Sequence, residues 1–186
     1  MLNRFLPAFI ATTMLLSCGH AVAAAAQKLT VDISSDCTNY GLQDRVTFNV
    51  ELKNRSDSPI TLYGELGWGE LGGLMLRIEK MNGETVHSAA LDDDMIIPST
   101  LRDRKHYLTL FQDHFIGLSR SDRVLELFPG PGQYKVWTEY LSPVPAASSL
   151  IKHNFWSREI GRLTSGVIVL TIAQASTCGK KGVREH

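Results

Sequence analysis

The clearest alternation of apolar and polar residues lies at Arg45-Val-Thr-Phe-Asn-Val-Glu-Leu-Lys-Asn54. Val46, Phe48, Val50 and Leu52 fall on one side; Thr47, Asn49, Glu51 and Lys53 fall on the other. A period of two marks a strand with one buried and one wet face. Residues 28–33 repeat the pattern with Leu29, Val31 and Ile33. Residues 60–63, 74–79, 107–111, 133–140 and 167–172 read as further strands. In residues 133–140, Tyr134, Val136, Thr138 and Tyr140 share one face, while Lys135, Trp137 and Glu139 share the other.

The breaks between these runs carry turn chemistry. Asn54-Arg-Ser-Asp-Ser-Pro59 follows the longest strand, and Gly130-Pro-Gly132 precedes the Tyr134 strand. Met81-Asn-Gly83 separates residues 74–79 from Glu84-Thr-Val-His87. An Asn-Gly pair there predicts a hairpin in which both residues tolerate positive φ. Residues 91–104, with Asp92, Asp93, Asp94 and Pro98, read as an irregular connection. Residues 143–163 form a longer one, with a helical turn or two expected between residues 148 and 156. No helical period recurs between the strands, which argues against a parallel βαβ sheet. Short strands at turn-punctuated spacing predict an all-β, antiparallel sandwich.

The first 26 residues have a different composition. Met1-Leu-Asn-Arg4 is a short basic start, residues 5–16 are apolar, and residues 21–26 are small. This is the layout of an export signal ending in an Ala-x-Ala site at Ala21-Val22-Ala23. The apolar run falls short of the ~20 residues that a membrane helix needs. The expected organisation is a cleaved signal at 1–26, a single sandwich domain at 27–175 and a polar tail at 176–186. The expected location is the periplasm or the outside of the cell. Leu15-Leu-Ser-Cys18 resembles a lipobox, which sets an alternative: an outer-membrane lipoprotein with lipid attached at Cys18.

Export bears on the cysteines. Without Cys18, the domain holds Cys37 and Cys178. In an oxidising compartment two cysteines most simply form one disulfide. Cys37 follows the first strand and Cys178 the last, so both reach one end if those strands run parallel side by side. The alternative is two free thiols.

Charge narrows the partners. Lys+Arg and Asp+Glu number 19 each, and of these only Arg4 lies in the leader, which leaves the domain near neutral. A nucleic-acid partner would want a basic surface. The expected partner is a protein or glycan of the cell envelope, with membrane contact only through lipid at Cys18.

The chain resembles the immunoglobulin-like modules of exported bacterial proteins. Residues 46–60 match their alternating strand, Asn-x-Ser turn, proline and apolar step. Pro131-Gly-Gln-Tyr-Lys-Val-Trp-Thr-Glu-Tyr140 resembles their Pro-Gly-x-Tyr strand, and residues 156–172 are similar to their last strand. Similar modules precede the catalytic domains of some secreted metalloproteases, but no His-Glu-x-x-His occurs here. The resemblance implies an immunoglobulin-like β-sandwich acting as a stand-alone binding or structural domain.

Several residues are candidates for chemistry. Gly64-Glu-Leu-Gly-Trp-Gly-Glu-Leu-Gly-Gly73 places Glu65, Trp68 and Glu70 in a glycine-rich loop. Trp68 reads either as a recognition anchor or as a cap folded onto the end of the sandwich. Trp137 and Trp156, with Tyr140 and Phe155, could form a glycan-stacking platform, against the alternative that a tryptophan fills the core. His87, His106 and His114 lack metal-ligand spacing. They carry the alternative function of a small exported hydrolase or metal-handling protein. No cofactor motif, Gly-x-Ser-x-Gly elbow or EF-hand loop occurs. The leading expectation is therefore a non-catalytic module that binds through its loops.

Overall fold

A computed structural model describes residues 28–69, 72–86, 103–145, 155–175 and 178. The long alternating run forms β3 (Arg45–Asn54), with Val46, Phe48, Val50 and Leu52 buried as the pattern requires. It pairs antiparallel with β1 (Leu29–Ser35) on one side and β8 (Phe115–Arg123) on the other. Together they make a three-stranded sheet in the order β1-β3-β8. The second sheet runs β2 (Asn39–Gly41), β11 (Ile168–Ala173), β9 (Gly132–Tyr140), β6 (Gly73–Lys80) and β5 (Gly67–Trp68), with β10 (Leu163–Thr164) also on β9. A two-stranded ribbon pairs β4 (Ile60–Tyr63) with β7 (Tyr107–Leu110).

The first, second and fifth strand positions of an immunoglobulin domain form one sheet, and the third, sixth and seventh form the other. Here β1, β3 and β8 occupy the first set and β6, β9 and β11 the second. The fold is an all-β, immunoglobulin-like antiparallel sandwich. Its main core cluster includes Phe48, Leu52, Leu74, Ile78, Phe128, Tyr134, Val136, Tyr140 and Leu170 from both sheets, and a smaller one gathers Tyr63, Val144 and Phe155.

Three expectations need correcting. The first and last long strands are not neighbours: β1 pairs with β3, and it is the short β2 that runs parallel to β11. The chain changes sheets between β1 and β2, and Cys37 sits in that crossing. It still meets Cys178 in a disulfide, with Cα atoms 6.0 Å apart. At the Asn-Gly turn only Gly83 has positive φ, at 90°, and a single bridge, Glu79 with Thr85, stands where a second strand was expected. Gly83 N donates to Lys80 O at 3.0 Å, a tight turn followed by the left-handed residue that glycine takes without strain.

The third correction is β8, which the alternation did not reveal. Its inward positions are Ile116, Leu118, Arg120 and Asp122, apolar only in the first half. The charges are accommodated because Arg120 Nε pairs with Asp122 Oδ2 at 2.5 Å, with both side chains mostly buried. A four-residue helix, α1 (Val124–Leu127), follows and buries Val124 and Leu127. The helical turn expected between residues 148 and 156 lies largely outside the described residues, as do residues 91–102, the tail apart from Cys178, and the leader with Cys18.

Candidate functional site

The turn after β3 is built on one side chain. Asn54, fully buried, donates from Nδ2 to the carbonyl oxygens of Ser58 and Leu110, both at 2.9 Å. Its Oδ1 accepts from Ser56 N at 2.9 Å and Ser56 Oγ at 2.8 Å. Every bonding capacity of the amide is used, so the turn is fixed in shape.

Against this turn lies a segment about a hundred residues downstream. Trp156 N donates to Thr61 O at 2.8 Å, and Phe155 bridges to Thr61, so residues 155–156 join β4. A short 3₁₀ turn, Arg158–Ile160, then leaves Ile160 53% exposed. Between turn and segment opens a cleft of about 290 Å³, lined by Lys28, Ser56, Ser58, Pro59, Ile60, Phe155, Trp156 and Ile160. Its wall is largely apolar, with one ammonium at Lys28 and the hydroxyls of Ser56 and Ser58. Trp156 Nε1 is buried without a hydrogen-bond partner among the described residues.

A second polar cluster lies where β4 meets β7. His106 Nδ1 contacts Glu65 Oε1, and Tyr63 donates its hydroxyl to Glu65 Oε2 at 2.8 Å. On the other side of the ring, Nε2 stands 3.9 Å from Asp103 Oδ2, beyond hydrogen-bond reach. Asp103 caps the short turn by accepting from Lys105 N at 3.1 Å. That bond, helped by the Lys105 side chain, holds its carboxyl below the usual carboxylate range. Gly64 N donates to His106 O at 2.8 Å, so the cluster ties the start of the glycine-rich loop to β7.

The glycine-rich loop turns back on itself. A Cβ at Gly72 would stand 2.4 Å from the carbonyl carbon of Gly67, a backbone approach only glycine allows. The loop delivers Trp68 to the core, 8% exposed, with the Arg120 guanidinium 5.5 Å from its ring centroid. This cation–π contact joins β5 of one sheet to β8 of the other. Of the two readings of Trp68, the packed cap is the one found; its ring presents little surface for recognition.

The glycan platform is not assembled. Tyr140 is fully buried, and Phe155 and Trp156 are only 8% and 6% exposed. Trp137 is half-buried on the outer face of β9, opposite Arg77 in register. Its strand neighbours are held in ion pairs: Lys135 with Glu79 at 3.0 Å, and Glu139 with Arg77 at 3.1 Å and Arg162 at 2.9 Å.

The structure thus brings Glu65 and His106 together and puts Trp156 in the cleft, but does not join Trp68, Trp137 and Trp156. His114 stacks edge-on against Phe111 at 5.7 Å, apart from the Glu65–His106 cluster. Glu70 and His87 lie outside the described residues, among which no group of His, Cys, Asp and Glu is arranged to hold a metal. The cleft's Lys28, Ser56, Ser58 and Ile160 were not anticipated. The turn itself was legible, but nothing in the sequence announced which distant segment would pack against it.

No protein-family profile matches the sequence, and no curated protein matches it either. Among solved structures, the CARDB domain of PF1109 from Pyrococcus furiosus is similar at 13% identity over 79% of this chain and 95% of that one, with a TM-score of 0.38. A crystal structure of that domain in complex with di-metal ions gives 12% identity over 78% and 87%, at 0.35. AvmM, which catalyzes macrocyclization in alchivemycin A biosynthesis, gives 9% over 84% and 92%, at 0.38. These likenesses are too weak to carry an argument, and the fold assignment rests on strand order alone.

Proposed function

We propose that this chain is a non-catalytic, exported binding module of the cell envelope. Its ligand site is the cleft between the Ser56–Pro59 turn and the Phe155–Ile160 segment. The observation that carries this reading is the lining. Apolar walls with a few polar groups, set on a rigid sandwich, are the makings of a binding site. Among the described residues, the lining holds no carboxylate–imidazole pair and no thiol.

The same lining favours a protein partner over a glycan. Sugar stacking needs an open aromatic face, and the Trp156 ring is nearly all packed. An apolar side chain fits the space, and an acidic group beside it would meet Lys28. The leader supports export, with the periplasm as the place of action and an outer-membrane lipoprotein anchored at Cys18 as the alternative. The Glu65–His106 pair is the feature that the hydrolase alternative would use. Only Glu65 contacts the imidazole, and the one hydroxyl placed at this pair among the described residues, that of Tyr63, is committed to Glu65 Oε2.

A photo-crosslinking amino acid at Ile160 tests the site in the exported protein in its own cells. The reading expects one crosslinked protein, lost on Lys28→Glu, and none from the same probe at Leu125, which is 52% exposed on α1. Identical products from both positions, or none from Ile160, would contradict it.

A further inference from the structure

The turn from β7 to β8 puts two large apolar side chains into water. Phe111 is 55% and Phe115 58% exposed. Single exposed apolar residues are ordinary, but two phenylalanines at either end of one tight turn are not a packing by-product. The turn is also rigid. His114 N donates to Phe111 O at 3.0 Å, Asp113 N donates to Asn54 O at 2.9 Å, and Asn54 N donates to His114 O at 3.0 Å. Asp113 takes the left-handed backbone, φ 61°, that closes it. The aromatics are therefore held out by a braced turn between two strands that belong to different pairings.

Cations flank them. Lys53 is the cross-strand partner of Phe115. Asp113 holds Lys53 at 3.3 Å and Arg55 at 3.7 Å, so both cationic groups sit beside the turn. Exposed apolar rings on one turn, with an ammonium and a guanidinium beside them, match the layering of a bilayer surface, apolar inside and phosphate outside.

The chain's direction adds a third, independent argument. Leu29 pairs with Asn54, so β1 begins at the tip end; its seven residues carry it about 20 Å to the disulfide end. The domain is entered at Lys28, on the tip side, and Cys18 stands ten residues earlier. Ten residues span at most ~35 Å. A chain held by lipid at Cys18 would therefore be tethered to the bilayer through this end of the domain.

We propose that the Phe111–Phe115 turn is a membrane-contact tip that enters the interface of a phospholipid surface, with Lys53 and Arg55 at the headgroup phosphates. Because the aromatics do the inserting, the near-neutral charge of the chain is no obstacle. The contact does not depend on the cleft having a ligand.

The test uses exported protein purified as Cys18→Ser, which can carry no lipid. It is floated with vesicles of phosphatidylethanolamine containing a minority of phosphatidylglycerol. The protein should float with the vesicles, and Phe111→Ser/Phe115→Ser should weaken this by roughly tenfold or more. Because both residues are exposed, this variant should keep its circular-dichroism spectrum. A Phe111→Trp variant gives a separate readout: brominated acyl chains should quench its fluorescence beyond the quenching of the parent. No flotation of the Cys18→Ser protein, equal flotation of the double variant, or no added quenching at position 111 would overturn the proposal.

Discussion

Asn54 and Leu110 are 56 positions apart, yet the Asn54 amide donates to the Leu110 carbonyl at 2.9 Å inside the fold. This bond marks the joint where the β3–β8 pair gives way to the β4–β7 ribbon. It fixes both the cleft turn and the Phe111–Phe115 turn, since the Asn54 backbone also bonds to Asp113 and His114.

Asn54→Leu should therefore be costly despite its similar size. It removes the side-chain partner of the Leu110 carbonyl and of Ser56 N, and leaves the Ser58 carbonyl with Ser56 Oγ alone, so about 2–4 kcal/mol of stability should be lost. Urea unfolding checks this, and a loss under ~1 kcal/mol would show that the joint is not structural.

Trp68 should behave as a core residue. Trp68→Ala removes a buried indole and the ring beneath Arg120, at a cost of about 3–5 kcal/mol. In the fraction that remains folded, crosslinking from Ile160 should persist. Loss of crosslinking with stability intact would restore Trp68 as a recognition anchor.

Two tyrosines should govern stability in alkali. Burial first, and then the hydrogen bond donated to Asp36 at 2.7 Å, raise the Tyr40 hydroxyl well above the ordinary phenol range. Burial does the same to Tyr140. For an acid whose folded pKa is raised, the stabilisation is complete below the unfolded pKa of ~10 and is lost as pH rises above it. Stability should thus be level up to about pH 10 and fall beyond. Spectrophotometric titration should show these two phenols ionising only with unfolding, and Tyr40→Phe should flatten the decline. Ordinary titration of all five tyrosines in the folded protein would refute this.

Much of the sandwich was legible because burial on one face of a strand leaves a period-two trace. β1, β3, β4, β6, β9 and β11 all carry it. β8 escaped because Arg120 and Asp122 neutralise each other on the inward face, where a pattern reading expects apolar residues. β2, β5 and β10 are too short to show a period. The candidate site was less legible. The cleft joins the Asn54 turn to residues around Phe155, and such a meeting depends on tertiary packing. Residue type gave Trp68, Trp137 and Trp156 as candidates, but exposure separates them: one lies under Arg120, one is half-covered on a sheet face, and one is a cleft wall. Phe111 and Phe115 look like core residues in any sequence, and only the fold leaves them outside.

The proposal of an exported domain is tested most directly at the bond that ties its two ends together. Cys37 and Cys178 close a span of 141 residues, a loop whose closure should be worth about 4–5 kcal/mol. Intact-mass analysis of the exported protein, with and without a thiol-alkylating reagent, tests this directly. The account predicts a chain that has lost its leader, takes up no reagent at Cys37 or Cys178 until reduced, and then unfolds at clearly lower urea. Alkylation of both cysteines in the unreduced protein, or an unprocessed chain retained in the cytoplasm, would contradict it.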